Sequence, residues 1–472
     1  MLEVPMLSTL QKNKLARRAA AAVGIFFTVV LGFCALAGFS AERDSVAKRP
    51  PMGWNSWDSY GTSVREEQVK ANADVMARDL AKFGWQYIVV DIQWYEPNAG
   101  GHDYREGARL TMDEFGRLTP AENRFPSAAN GVGFRKLADY VHGKGLKFGI
   151  HIVRGVPREA VEKNLPIWHS NAHAGDIADR KNICEWNPDM YGIDMSKAGA
   201  QEYYDSIAAL YASWGVDFIK ADDMSRPYAQ RSPEVHALSA AMRKTKREMV
   251  LSLSPGPAPV PDAADLRQYA QMWRISDDFW DDWKLLKAQF DYTRDWAPYI
   301  GKDDTWPDAD MLPLGKLRMT DKNAGAMQTR FTVDEQRTVM TLWCIFRSPL
   351  IFGGDLPAND AATLALITNE EVLAIDQHSS GNRQSLERGN IRVWIAAAAE
   401  SKDNYVALFN LGEAPENVDL AWKDVGIELR KPALRDLWAK KDLGRSDKLT
   451  VSLQPHASVL YRVSGKDTSA KN

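Results

Sequence analysis

Cysteine is scarce: Cys34, Cys184 and Cys344 are the three in 472 residues. No Cys-x-x-Cys pair or Cys/His cluster occurs, which argues against a structural zinc site and a disulfide framework. A disulfide between Cys184 and Cys344 is left open, since the sequence offers no geometry to decide it. Long single-sign charge runs are also missing. The 59 Lys and Arg nearly balance 62 Asp and Glu, for a net charge of -3, so nucleic acid is a poor partner. The short basic stretch Arg243–Arg247 reads as an exposed helix C-terminus. Gly (32) and Pro (23) are not in excess, which excludes a largely disordered chain. No Gly-rich phosphate loop follows the first candidate strand, so a dinucleotide-binding open sheet is disfavoured. No ligand motif asks for a metal or organic cofactor, and neither is expected.

The first 41 residues do not read as part of a fold. Lys12, Lys14, Arg17 and Arg18 precede a stretch, 19–41, that carries no charge and is mostly apolar. Ala35-Leu36-Ala37 and Ser40-Ala41 offer small-residue cleavage sites. Residues 1–41 are therefore expected to be a secretory signal peptide. The apolar run is also long enough to span a bilayer, and an uncleaved membrane anchor is the alternative. Either way the basic flank predicts that the rest of the chain is exported, to the periplasm or beyond.

From about residue 48 to 378, short apolar runs alternate with segments of helical period. The candidate strands are 52–54, 87–91, 146–152, 216–220, 249–253, 272–275, the stretch near 310–312, and 349–352. Helical periods lie at 65–83, 133–144, 198–214, 232–247, 279–292 and 332–347. This repetition predicts an α/β fold, a (β/α)₈ TIM barrel. From 379 to 465 the texture changes to short strand-like runs, including Ile391–Ile395, Tyr405–Phe409 and Leu449–Leu453. They predict a small C-terminal all-β antiparallel sandwich.

Barrel enzymes carry their chemistry at the C-terminal ends of the strands. Four candidate strand ends here carry acids: Asp91, Asp222, Asp278 and Asp310. One such acid is more often a helix cap. Four in one barrel, with Lys220 and Arg274 beside two of them, point to a site. Side chains alternate along a strand, so Lys220 and Asp222 share a face while Asp223 points away. An inward Lys keeps a neighbouring carboxylate ionised. Arg274, Ser276 and Asp278 likewise share parity, with Asp277 left open as a competitor because parity weakens past a strand end. Two carboxyls across a pocket suit retaining glycoside hydrolysis, one as nucleophile and one as general acid/base. The 16 Trp, 15 Tyr and 16 Phe can stack on sugar rings or simply fill a large core.

At these residues the chain resembles glycoside hydrolase family 27, the α-galactosidases and α-N-acetylgalactosaminidases. The resemblance runs from about Arg49 to Gln377. It is carried in order by Pro51-Met-Gly-Trp-Asn-Ser-Trp57, Gly145-Leu-Lys-Phe-Gly149, Lys220-Ala-Asp222, Trp273-Arg-Ile-Ser-Asp-Asp278, Asp308-Ala-Asp-Met-Leu312 and Ser348-Pro-Leu-Ile-Phe-Gly-Gly-Asp355. It implies Asp222 as nucleophile, Asp278 as acid/base, Trp54 as a pocket wall, and Asp91, His151, Lys220, Arg274 and Asp310 as sugar contacts.

Three departures put the sugar in question. Where the family has two adjacent carboxylates for the 4- and 6-hydroxyls, this chain has Asp91-Ile92. Ser254-Pro255-Gly256 stands where a 2-hydroxyl-binding Glu is usual, and His151 replaces a Tyr. The default expectation is release of terminal α-galactosyl residues. A β-L-arabinopyranoside or an isomaltose-yielding α-glucan are alternatives, since lost hydroxyl contacts can reset specificity. Two further readings are a carbohydrate-binding barrel without catalysis and an unrelated metal-dependent barrel enzyme. The first is opposed by the intact acid pair, the second by the missing ligand set. Trp94 and Trp186 are open between pocket and core.

Overall fold

The computed structural model describes residues 46–321 and 325–465. The expected signal segment and the tail beyond 465 lie outside the described residues. Among the described residues no helix is long and apolar enough to cross a membrane.

Eight short strands form one parallel sheet: β1 (Met52–Asn55), β2 (Tyr87–Val90), β3 (Lys147–Val153), β4 (Phe218–Asp222), β5 (Val250–Leu253), β6 (Met272–Arg274), β7 (Trp306–Asp308) and β8 (Leu350–Phe352). Their spatial order is β7-β6-β5-β4-β3-β2-β1-β8. Strands buried on both faces need apolar side chains throughout, and Tyr87-Ile-Val-Val is buried along its whole length. The inner layer is tight. A Cβ on Gly53 would lie 2.7 Å from the Tyr87 Cβ, and one on Gly149 2.9 Å from the Phe218 Cβ. Glycine at both positions lets a large aromatic stand on the next strand.

The seam between β7 and β8 departs from expectation. The seventh strand ends at Asp308, before the predicted 310–312 stretch. The Asp308 carboxylate accepts the Asp310 N–H at 2.9 Å, and Asp310 takes φ 86. A side chain that captures the backbone two residues on makes a turn rather than a strand. Leu312 then restores contact, its N–H donating to Ile351 O at 2.7 Å and its backbone bridging Phe352.

The helices between strands are α1 (Glu66–Val75), α2 (Arg135–His142), α3 (Ala200–Trp214), α4 (Tyr228–Lys244), α5 (Ala263–Tyr269), α6 (Trp283–Trp296) and α7 (Val333–Phe346). Helix α5 is short and escaped the periodicity reading. The capping box of α7 is explicit, with Thr332 N–H donating to Glu335 and Glu335 N–H to the Thr332 hydroxyl. Between β3 and α3 lies a three-stranded antiparallel sheet, Val156–Pro157, Ala178–Ile183 and Met190–Ile193. It was not legible because Ala178–Ile183 is mostly polar and largely solvated.

After α8 (Ala361–Ile367) and α9 (Glu370–His378) the first strand of the C-terminal sheet runs over Ser379–Arg388. A six-stranded antiparallel sheet faces a two-stranded one, Glu416–Ala421 with Lys448–Leu453. Alternate residues of Ile391–Ala398 serve two cores. Val393 and Ile395 face the sandwich interior, while Trp394 and Ala396 join the barrel's own cluster. Phe409 meets Phe290 of α6 at 4.9 Å between ring centroids. Cys184 and Cys344 are both free and buried, so they do not pair.

Asp376 in α9 is buried, and one of its carboxyl oxygens has no partner among the described residues. Burial raises its pKa well above the carboxylate range, with Gln377 and Arg347 only partly opposing. Such a group favours the fold while protonated, and that contribution is lost as pH rises above the unfolded value, about 4. Asp376→Asn is therefore expected to melt a few degrees above the native chain at pH 8 and together with it near pH 4. Thermal unfolding at the two pH values checks this.

Candidate active site

The strand ends open onto a pocket of about 340 Å³, a size typical of small-ligand sites. Asp91, Lys220, Asp222, Arg274, Asp278 and Asp310 all line it. The four acids that chain spacing only nominated thus share one cavity.

Asp91 follows β2 and is 1 % exposed. Its Oδ2 accepts Asn55 Nδ2 at 2.7 Å and Lys220 Nζ at 2.9 Å, and its Oδ1 accepts the Ile92 N–H at 2.9 Å. Burial works against its charge, but Lys220, His151 and Asn55 outweigh it and hold the carboxyl below its ordinary range. The same field keeps Lys220 charged. Burial would neutralise the ammonium, yet Asp91, Asp222 and Asp310 raise its pKa.

Asp222 ends β4. Its Oδ1 accepts Ser254 Oγ at 2.9 Å and its Oδ2 accepts His151 Nε2 at 3.3 Å. Burial again opposes ionisation, but the His151 hydrogen bond and the His151, Lys220 and Ser254 contributions place the carboxyl well below the usual range. It is a bare carboxylate aimed into the pocket. Asp223 points the other way, as alternation requires. Its carboxylate pairs with Arg154 at 2.6 Å and Arg231 at 3.1 Å, away from the cavity.

Across the pocket Arg274, from β6, reaches Asp310 at 2.7 Å and Asp278 at 3.3 Å. Asp310 also accepts the Phe279 N–H at 2.7 Å. Burial raises the Asp310 pKa, Arg274 counters it, and Asp278 adds to the rise. The Asp278 side chain is 60 % exposed, so it can exchange protons with solvent. Asp277 is also on the wall, bound to Arg226 at 2.8 Å.

Two sequence-nominated residues stand elsewhere. Trp54 is fully buried, and its indole N–H donates to Gly354 O at 2.9 Å. The tryptophan on the pocket wall is Trp57, three residues on. The strand stops at Asn55, whose side chain accepts the Trp57 N–H at 2.8 Å, and a helical turn begins. Strand alternation therefore no longer tells which tryptophan faces the pocket. His151 is likewise fully buried. It braces Asp222 from beneath and does not line the cavity. Trp94 is a core residue donating to His151 O at 2.7 Å, whereas Trp186 is on the pocket wall.

Sequence reading missed Trp57, Asp58, His102, Tyr104, Ser254 and Trp280, all on the wall. Ser254 had a signal, since it follows an apolar strand, but a serine there is commonplace. His102 and Tyr104 lie in a loop with no strand or helix pattern to place them. Among the described residues no group of three or more His, Cys, Asp and Glu is arranged to hold a metal ion.

The two tryptophans separate by experiment. Trp57→Ala is expected to raise KM about 10-fold or more, because a stacking wall is lost. Trp54→Phe should leave KM nearly unchanged but cost about 1–3 kcal/mol of stability, since Gly354 O loses its buried donor. Steady-state kinetics beside denaturant unfolding reads both.

Comparison with known proteins accords with this geometry. The model of the alpha galactosidase A family matches residues 49–198 and 191–378. That of the alpha galactosidase C-terminal beta sandwich domain matches 388–463. Among curated relatives, alpha-galactosidase 2 of Arabidopsis thaliana is 27 % identical over 448 residues, covering 93 % of this chain and 96 % of its own. Among solved structures, a family 27 β-L-arabinopyranosidase from Geobacillus stearothermophilus is 50 % identical, with a TM-score of 0.88 over 92 % of this chain and all of its own. A variant of that enzyme has been seen with arabinose. A Bacillus halodurans protein with an α-N-acetylgalactosaminidase assignment is 47 % identical, with a TM-score of 0.80 over 88 % of this chain and 97 % of its own.

Proposed function

The chain belongs to glycoside hydrolase family 27, and from that premise we propose that this glycosidase releases terminal β-L-arabinopyranosyl residues with retention at the anomeric carbon. The observation that carries the choice of sugar is Ile92. It lines the pocket directly after Asp91 and is 2 % exposed. By the family resemblance, a carboxylate at this position would receive the 6-hydroxyl of galactose. A β-L-arabinopyranoside has the same ring configuration as an α-D-galactoside but no exocyclic CH₂OH. An apolar wall suits it, while a galactoside would bury an unpaired hydroxyl there. The similarity to the Geobacillus arabinopyranosidase supports the same reading.

In the proposed mechanism Asp222 attacks the anomeric carbon as the bond to the aglycone oxygen breaks, and Asp278 gives that oxygen its proton. A glycosyl–Asp222 ester forms. Asp278 then takes a proton from water, whose oxygen attacks the anomeric carbon and releases Asp222. Lys220, His151 and Ser254 keep Asp222 ionised, and Asp91 accepts a ring hydroxyl. Export is part of the proposal and rests on the basic flank and the uncharged stretch 19–41.

Hydrolysis of the α-galactoside would favour the second reading, in which retention of Asp91 suffices for an α-galactosidase. The test is a nitrophenyl glycoside panel with residues 42–472: β-L-arabinopyranoside, α-galactoside, α-N-acetylgalactosaminide and α-glucoside. Preferential release from the first supports the proposal. Preference for another member overturns the sugar, and no release from any overturns the activity on simple glycosides.

A further inference from the structure

Asp58 sits in the helical turn Trp57–Tyr60 that follows β1, on the wall of the same pocket and 3 % exposed. Each of the other pocket carboxyls has a donor: Asp91 has Lys220 and Asn55, Asp222 has His151 and Ser254, Asp310 and Asp278 share Arg274, and Asp277 has Arg226. Asp58 has none among the described residues. Its Oδ2 is sealed from solvent and unpartnered. That oxygen is packed against Gly353, where a Cβ would come within 1.9 Å of it. The charges that act on it most are Asp310, Asp278 and Asp91, opposed by Lys220, which is already bonded to Asp91. An ionised Asp58 would therefore be a buried charge without a counterion among three like charges, and burial first and Asp310 next push its pKa well above the carboxylate range.

We propose that Asp58 is a further glycone-binding residue, a neutral carboxylic acid whose Oδ1–H donates a hydrogen bond to a ring hydroxyl of the bound pyranose. This rests on the glycosidase reading of the pocket. The chemistry is complementary to what surrounds it. Asp91 and Asp310 offer acceptors, whereas a sugar hydroxyl also needs donors on its lone pairs. Lys220 and Arg274 supply charged ones, and Asp58 supplies a neutral one from the side closed by Gly353.

The test compares Asp58→Asn with Asp58→Ala on the best substrate of the native enzyme. Asparagine keeps the shape, the neutrality and a donor, so kcat/KM should stay within about 3-fold, while alanine should lower it about 10-fold or more, mainly through KM. With a dinitrophenyl glycoside, whose departure needs little protonation by Asp278, the native kcat/KM should also fall at alkaline pH as Asp58 ionises, and the Asp58→Asn profile should lack that limb. An Asn variant as impaired as the Ala variant, or an Ala variant equal to native, overturns the proposal. If Asp58→Ala fails to fold, the Asn variant and its pH profile decide alone. Calorimetric binding of L-arabinose and D-galactose to the same proteins reads Asp58 without turnover. Weaker binding by the Ala variant with no hydrolysis by the native enzyme would overturn the glycosidase reading and leave Asp58 as a sugar contact.

Discussion

Asp222→Ala is expected to lose turnover by about 10⁴-fold or more, as removal of a catalytic nucleophile does. Stability should change little or rise. The native carboxylate is buried, and its partners His151 and Ser254 are held by the barrel whether or not it is present. What disappears is the carboxylate held ionised by His151, Lys220 and Ser254 and aimed into the cavity. Truncation leaves a space the size of a small anion next to a cationic Lys220. Added azide is expected to enter it, attack the anomeric carbon and restore part of the activity on substrates with a good leaving group. The product should be a glycosyl azide of inverted anomeric configuration, identified by NMR. Near-native unassisted hydrolysis by the variant would remove Asp222 from its role.

Ile92→Asp should reverse the preference between β-L-arabinopyranoside and α-galactoside, with a swing of about 10²-fold in the ratio of kcat/KM values. Galactoside would gain an acceptor for its exocyclic hydroxyl. Arabinopyranoside would face a buried carboxylate with nothing to bind. The change carries a cost in the free enzyme, because a second acid beside Asp91 must share the single Lys220 ammonium. A lower melting temperature should accompany the switch, since like charges at a buried site oppose each other's ionisation. Ile92→Val, which keeps an apolar wall, should leave the ratio where it is. A ratio unmoved by Asp would take Ile92 out of the specificity argument.

Much of the barrel was legible because parallel strands buried on both faces read as continuous apolar runs, as Tyr87–Val90 and Leu350–Phe352 do. Acids that end such runs stand out, and Asp91, Asp222, Asp278 and Asp310 were found that way. Failure came where strand periodicity stops. Trp54 and Trp57 straddle the end of β1, so a two-residue repeat could not assign them. The polar hairpin strand Ala178–Ile183 and the exposed edge strand Lys441–Arg445 bury little on either face, which leaves no alternation to read.

The sequence by itself determined the alternation of most barrel strands with the helices between them, the presence of two carboxyls suited to glycoside chemistry, and the replacement of a family acid by Ile92. Only the tertiary structure decided what each acid is. His151 and Ser254 come to Asp222 across 71 and 32 residues of chain. Asp58 has one oxygen sealed against Gly353, just past the end of β8. Ionisation depends on burial and on charges a few ångströms away in space. Chain spacing reports neither once the residues involved stand on different strands.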